Sequence, residues 1–491
     1  MAAEDKFIVA LELGSSKVTG IAGRKEPDGA IQVLACAQEP SSMFIRKGSI
    51  FNPDKMAQCI SSIKKKLEDR LKKTISQVYV GIEGMGMHTV RNEVSKNFNE
   101  KQEIDTHTID EIRDANRRAT IPGHDIIDVI SQEYRLGTQT QLDPIGCYTD
   151  NIQGCFLNVM TLTSINDCVR NSFEKAKVHV VDTLITPLKL ADVILTEAEK
   201  SSGCVFVDMG AGTTSVAVYK GGILRHLAVI PLGGENITHD IASLQIDDDE
   251  AEELKLKYGS AVYDENDTER PAIELRDGRT VKFEDFSSIV EARVEEIIRN
   301  IDNQIKLSGY ERNQLYGGLI ITGGAAHLRN IERAITRFTG FEKLRFVRNI
   351  RLTLRTGLQD FNKNGSCNAA IALIDTATEN CCGGDPAQQA TIFPSEEEIR
   401  QKAEEEARKK AQEEQERKKR EEEERARREE EEQERERQRQ LEEEEQKRKE
   451  EKERKREKRR RLWKKMKQFM GDLVTDGDEA TILPKDKEEK K

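Results

Sequence analysis

Apolar runs of strand length recur through the first 380 residues, at 7–13, 77–82, 155–163, 204–209, 216–219 and 319–322. Between them apolar positions return every three or four residues, the period of a helix with one buried face, over 54–73, 109–120, 166–176, 286–307 and 367–378. Strands interleaved with helices predict an α/β body. Pro122-Gly123, Gly221-Gly222 and Asn364-Gly365 mark turns, and Lys220-Gly221-Gly222-Ile223 joins two strand-like segments as a hairpin loop does. At Gly383-Gly384-Asp385-Pro386 the chain breaks and the periodicity stops.

Beyond that break the pattern is different. Residues 395–461 carry 27 acidic and 26 basic side chains in 67 positions, with almost no apolar residue. Such a segment buries no core. Its alternating Glu and Lys/Arg blocks allow many i,i+4 pairs, each worth roughly 0.2–0.5 kcal/mol on an exposed helix. An isolated charged helix, on the order of 100 Å long if fully formed, and a disordered polyampholyte both fit. A coiled coil does not, because its seam needs apolar residues at a and d. Either surviving form acts as a spacer, assigned to 381–457.

Charge narrows the function classes. The body, 1–394, has a surplus of about ten acids, which argues against nucleic-acid binding. The acidic start, Met1-Ala2-Ala3-Glu4-Asp5-Lys6, is unlike a secretory signal, and no apolar run reaches the roughly 18 residues of a membrane span. Nine scattered cysteines without CxxC spacing read as reduced thiols of a cytoplasmic protein, and seven histidines without ligand spacing predict no zinc site.

Three glycine-bearing turns carry the candidate chemistry. In the first, Glu12-Leu13-Gly14-Ser15-Ser16-Lys17 follows a strand. Backbone N–H groups, hydroxyls and an ammonium there suit phosphate oxygens, and the Glu12 carboxylate suits a Mg²⁺ ion held through water. Taken alone, a plain hairpin turn explains it as well. The second, Asp208-Met209-Gly210-Ala211-Gly212-Thr213-Thr214, repeats the design almost two hundred residues later. Two such units imply duplicated halves facing each other across a cleft, with Glu12 and Asp208 flanking the metal. In the third, the strand 319–322 ends in Gly323-Gly324, where no side chain blocks a flat base. No Walker A motif is present in the two phosphate turns.

In order and spacing the three turns resemble the actin-like ATPase superfamily, and within it the bacterial cell division family FtsA. The resemblance covers about residues 5–380 and returns at the C-terminal helix. Val129-Ile130-Ser131-Gln132-Glu133-Tyr134, Leu224-Arg225-His226, Ile230-Pro231-Leu232-Gly233-Gly234 with Thr238, and Ala251-Glu252 with Lys255 are similar to family segments. It implies ATP and Mg²⁺ as cofactors, Glu252 and Lys255 near the nucleoside, and Gly233 and Gly234 bordering the pocket. It also implies subdomain 1A at 5–83 and 163–199, an inserted subdomain 1C at 84–162, subdomain 2A at 200–236 and 312–380, and subdomain 2B at 237–311. The implied partners are FtsZ at 2B, further copies of the chain in a filament, later division proteins at 1C, and the inner membrane at the division septum. Hydrolysis is expected to be slow at most. No base is evident, since Gln132 and Glu133 lie in the inserted region, where a structural role is expected.

The end of the chain reads without any family. Leu462, Trp463, Met466, Phe469, Met470, Leu473 and Val474 share one helical face, bordered by Arg460, Arg461, Lys464 and Lys465. Residues 458–475 thus suit a helix lying on anionic lipid. Docking onto the protein's own body or onto a calmodulin-like partner remains the other reading of that face. Glu12 stands where many superfamily members have Asp, and Ala211 where Gly is common. About 16 residues, 476–491, come after the helix that usually closes an FtsA chain. A sugar-kinase-like phosphotransferase and an actin-like pilus-assembly scaffold are the competing functions. The first needs a carboxylate base and sugar-binding groups in the cleft. The second is not expected to have the basic amphipathic terminus.

Overall fold

A computed structural model describes residues 6–263, 272–359, 361–383 and 452–462. The first half opens with the hairpin β1 (Ile8–Leu13) and β2 (Lys17–Lys25), then β3 (Ile31–Pro40), the short pair β4 (Ile45–Arg46) and β5 (Ser49–Ile50), helix α1 (Pro53–Leu71) and β6 (Gln77–Ile82). The chain then leaves this sheet through β7 (His88–Glu103), α2 (Thr106–Arg117), β8 (His124–Leu136), β9 (Gln139–Gln141) and β10 (Tyr148–Leu162). It returns by α3 (Thr163–Ala176), β11 (His179–Ile185), α4 (Thr186–Ile194) and α5 (Glu197–Ser202).

The second half repeats the plan with β12 (Cys204–Met209), β13 (Thr214–Lys220), β14 (Ile223–Ile230), α6 (Gly234–Ala242) and α7 (Asp248–Tyr258). The pair β15 (Ile273–Glu274) and β16 (Thr280–Val281), helix α8 (Phe283–Leu307), β17 (Gly318–Thr322), α9 (Ile331–Thr339) and β18 (Leu344–Phe346) complete it. The chain finishes with β19 (Leu354–Thr356) and α10 (Asn368–Thr376).

The two sheets are laid out alike. One runs β11-β6-β1-β2-β3 and the other β18-β17-β12-β13-β14. In each, three antiparallel strands are flanked on one side by two parallel ones. The duplication read from two turns is therefore a duplication of whole sheets. Their central strands, β1 and β12, are almost entirely buried, which is why they are continuous apolar runs rather than alternating ones.

Helix α1 begins at an Asn52 cap that accepts from the Lys55 N–H at 3.1 Å, with Pro53 in its first turn. It buries Met56, Ile60, Ile63 and Leu67. Gly20 on β2 admits it closely, since a Cβ there would lie 2.4 Å from Ile63 Cγ2. Helix α8 buries Phe286, Val290, Val294, Ile297, Ile301 and Ile305 in the core of the second half.

One boundary differs from expectation. The resemblance puts residues up to 380 in the second half, but β19 pairs in parallel with β3 and α10 packs on β1, β2 and β6. The last segment thus returns to the first half. The cause is visible in α10, whose buried Ile371, Leu373 and Ile374 belong to the first-half core.

The inserted segment builds its own small core from Ile104, Ile109, Ile112, Tyr134, Leu136, Ile152 and Phe156. Its strands extend the second-half sheet in the order β14-β7-β10-β8-β9, through the single register pair Ala228 and His88. Gln132 ties β8 to that half: its Nε2 donates to the Leu224 carbonyl at 2.9 Å and its Oε1 accepts from Arg225 at 3.1 Å. Gln132 is a structural joint.

Residues 452–462 are helical, so the described end of the spacer has the helical form. Most of the spacer, 384–451, and the face residues Trp463, Lys464, Lys465, Met466, Phe469, Met470, Leu473 and Val474 lie outside the described residues. Arg460, Arg461 and Leu462 are exposed on the helix. Among the described residues no helix is long and apolar enough to cross a membrane.

Candidate nucleotide cleft

The turns at the C-terminal ends of β1, β12 and β17 open into one cleft of about 800 Å³ between the halves. Glu12, Gly14, Ser15, Ser16 and Lys17 line it from the first half, and Asp208, Gly210, Ala211 and Thr213 from the second. Gly234, Glu252, Lys255, Gly323 and Gly324 form the rest of the predicted wall.

The first turn is a hairpin, with Leu13 paired to Val18, and it also faces the cleft. Ser41 holds its shape by donating to the carbonyls of Gly14 at 2.6 Å and Ser15 at 2.8 Å. Ser15 Oγ in turn accepts from the Gly48 N–H at 2.9 Å.

Gly212, Thr214 and Gly233, also predicted for the site, do not line the cleft. Their work is one step back. A Cβ on Gly212 would fall 2.6 Å from Ser15 Oγ, so the two hydroxyl-bearing loops touch only because Gly212 lacks a side chain. A Cβ on Gly233 would meet the Ala211 carbonyl oxygen at 2.4 Å. Thr214 is buried and donates to the Leu232 carbonyl at 2.8 Å, fastening the start of β13 to the connection between β14 and α6.

Lys255 is half-buried and fixed. Its Nζ donates to the Gly234 carbonyl at 3.0 Å and Thr238 Oγ1 at 2.8 Å, and pairs with Glu252 at 2.5 Å. The α6–α7 wall is therefore one connected network. Gly323 has φ +95°, and a Cβ there would lie 2.5 Å from Asp208 Oδ1, so this position demands glycine on both counts. Around Gly324 the space is open.

Glu83 was not evident from the sequence alone. It comes directly after β6 and lines the cleft, and its Oε1 accepts from Ser215 at 2.6 Å and Thr213 at 3.1 Å. It thereby links the first half to the second phosphate-type loop at the start of the inserted segment. A signal existed: Ile82-Glu83-Gly84 is an acid at a strand end next to glycine, while Glu12 and Asp208 stand one residue further from theirs. Thr186, Thr322, Ser366 and Asn368, which also line the cleft, lie in no glycine-rich pattern.

The electrostatics suit a cation. Burial first, then the charges of Glu83 and Asp208, push Glu12 up to about 8 against the pull of Lys17. Burial and the Glu83 charge push Asp208 up to about 8. Glu83 is raised by burial, while its bonds from Ser215 and Thr213 draw it back. These are crowded carboxylates whose ionised forms need a positive neighbour. Among the described residues no three His, Cys, Asp or Glu side chains form a direct metal cage.

Comparison with known proteins agrees with the fold. A family model described as "Cell division protein FtsA" matches residues 205–372, and another, "SHS2 domain inserted in FTSA", matches residues 84–160. The chain is 27% identical over 388 residues to the cell division protein FtsA of Porphyromonas gingivalis, covering 78% of this chain and 80% of that one. It is 26% identical over 411 residues to FtsA of Escherichia coli, covering 80% and 96%. Among solved structures, a PilM–PilN type IV pilus biogenesis complex aligns with a TM-score of 0.51 at 16% identity, over 75% of this chain and 97% of that one. That last likeness is one of fold.

Proposed function

This chain belongs to the FtsA family of actin-like cell division proteins, and from that premise we propose that it is an ATP-switched membrane tether for the division ring. ATP with Mg²⁺ occupies the cleft. Gly14, Ser15, Ser16, Lys17, Gly210, Ala211 and Thr213 receive the phosphates, and Glu12 and Asp208 receive the hydrated metal. Glu252 and Lys255 border the nucleoside and Gly323-Gly324 the base. The bound metal supplies the positive charge that crowded carboxylates and phosphates both need.

The observation that carries this reading is the contact of the two loops, Ser15 against Gly212, across one cleft. A ligand with several phosphates is the natural bridge between donors offered from both halves, and bridging favours the closed arrangement. Closed copies assemble into a filament. Residues 237–311 take the FtsZ partner, the inserted segment within 84–162 takes later division proteins, and the amphipathic helix 458–475 holds the filament to the cytoplasmic face of the inner membrane. The chain is chiefly a recruiting scaffold, at most a slow ATPase, since Gln132 is engaged in a joint.

Titration of the full chain with ATP, with and without Mg²⁺, tests the reading. Binding that depends on the metal supports it, and no binding in either condition overturns it.

A further inference from the structure

Behind the first loop, outside the nucleotide cleft, an open pocket of about 700 Å³ is lined by Cys36, Gln38, Lys66, Arg70, Ser366 and Cys367 among others. Cys36 lies on β3, and Cys367 is the residue that begins α10. These cysteines are 331 positions apart in the chain, yet both line this one pocket, close enough for each thiol to bear on the other's ionisation. Gln38 Nε2 also donates to Cys367 Sγ at 3.4 Å, and Ser366 Oγ lies 3.9 Å from it. Donors converge on one sulfur, at the start of a helix and at the edge of a pocket.

We propose that Cys36 and Cys367 form a peroxide-reactive thiol pair, a modification site that closes into a disulfide beside the nucleotide cleft. The Cys367 thiolate attacks one oxygen of hydrogen peroxide, and the O–O bond breaks to leave a sulfenic acid and hydroxide. The Cys36 sulfur then attacks Cys367 and displaces the second hydroxide. Both hydroxides leave as water with the two thiol protons, so two thiols lose two electrons and the peroxide gains them. A dithiol reductant reverses the bond.

Three buried cysteines set the contrast. Burial pushes the thiols of Cys59, Cys204 and Cys381 up to about 12. The neighbouring Cys36 thiol, aided by Ser366 and the Lys17 charge, draws Cys367 the other way, below the ordinary thiol value. The nucleophile is Cys367, whose sulfur takes the Gln38 bond at the pocket edge, and Cys36 across the same pocket is the resolving thiol. The bond would form one residue from Ser366 and Asn368, both on the cleft wall.

The full chain treated with a small excess of hydrogen peroxide, blocked with a thiol alkylator, digested without reductant and read by mass spectrometry tests the pair. The expected product is the peptide pair joined through Cys36 and Cys367, forming faster than any modification of Cys59 or Cys381 by more than about tenfold. Cys36→Ser should abolish the linked pair and leave a sulfenic acid on Cys367 that a dimedone probe captures. Cys367→Ser should abolish both, with the circular dichroism of each variant compared with the parent to exclude misfolding. No linked pair in the parent, or modification spread evenly over the cysteines, overturns the proposal.

Discussion

Glu12, Glu83 and Asp208 crowd three carboxylates into one corner of the cleft. Glu12 and Asp208 are each raised to about 8, above their ordinary values near 4. An acid raised on folding contributes its stability below the unfolded value, and that contribution is lost as pH climbs through the folded one. A dication reverses the sense, because it needs the carboxylates ionised. Binding of Mg-ATP should therefore release protons near pH 7, and calorimetry in buffers of different ionisation enthalpy reads that release directly. Its affinity should rise between pH 6.5 and 8.5, whereas metal-free ATP should show no such rise. Asp208→Ala removes one of the matched charges. It should weaken Mg-ATP roughly ten- to hundredfold and metal-free ATP much less. Equal losses would point to a folding defect instead. Glu12 and Asp208 are legible in the sequence because each stands in a glycine turn; Glu83 has the same strand-end setting, but its glycine opens an insertion rather than a hydroxyl-bearing loop.

At the scale of elements, α10 reads from its periodicity as a helix with one buried face, yet the half it serves is not legible there. Apolar periodicity reports that a face is buried, not against which sheet, and residues 31–33 and 354–356 meet only through the fold. The helix is nonetheless a keystone of the first half. Leu373 is fully buried and would meet a Cβ at Gly81 within 2.4 Å. Leu373→Ala should cost about 2–5 kcal/mol, measured by urea unfolding, and should loosen the Cys367 end of the cleft with it. Strand β7 is hidden in the sequence for a different reason. Its apolar Val90, Val94 and Phe98 are only half-buried and sit among exposed polar residues, so no apolar run announces it. The terminal amphipathic pattern is read from the sequence alone, and most of its face lies outside the described residues. Trp463→Glu with Phe469→Glu puts two charges on that face and should release the protein from anionic vesicles while leaving ATP binding intact. Vesicle binding retained by the double variant would place the tether elsewhere.

At the scale of the molecule, duplicated halves, a linking insertion, a charged spacer and a basic amphipathic sequence at the end are the features on which the proposed surface-tied switch rests. A single helix binds a membrane weakly. Buried CH₂ groups contribute roughly 0.8 kcal/mol each and basic residues about 1 kcal/mol each, and ordering the helix offsets much of that. Many helices on one filament raise the effective concentration and make the attachment firm. The proposed function therefore predicts that nucleotide and lipid binding are coupled through assembly. Co-sedimentation of the full chain with anionic vesicles, with and without Mg-ATP and with the pellets imaged by electron microscopy, tests that coupling. Several-fold more protein should reach the vesicles with Mg-ATP, arranged as filaments. Equal binding in both conditions, with no filaments in either, would contradict the coupling.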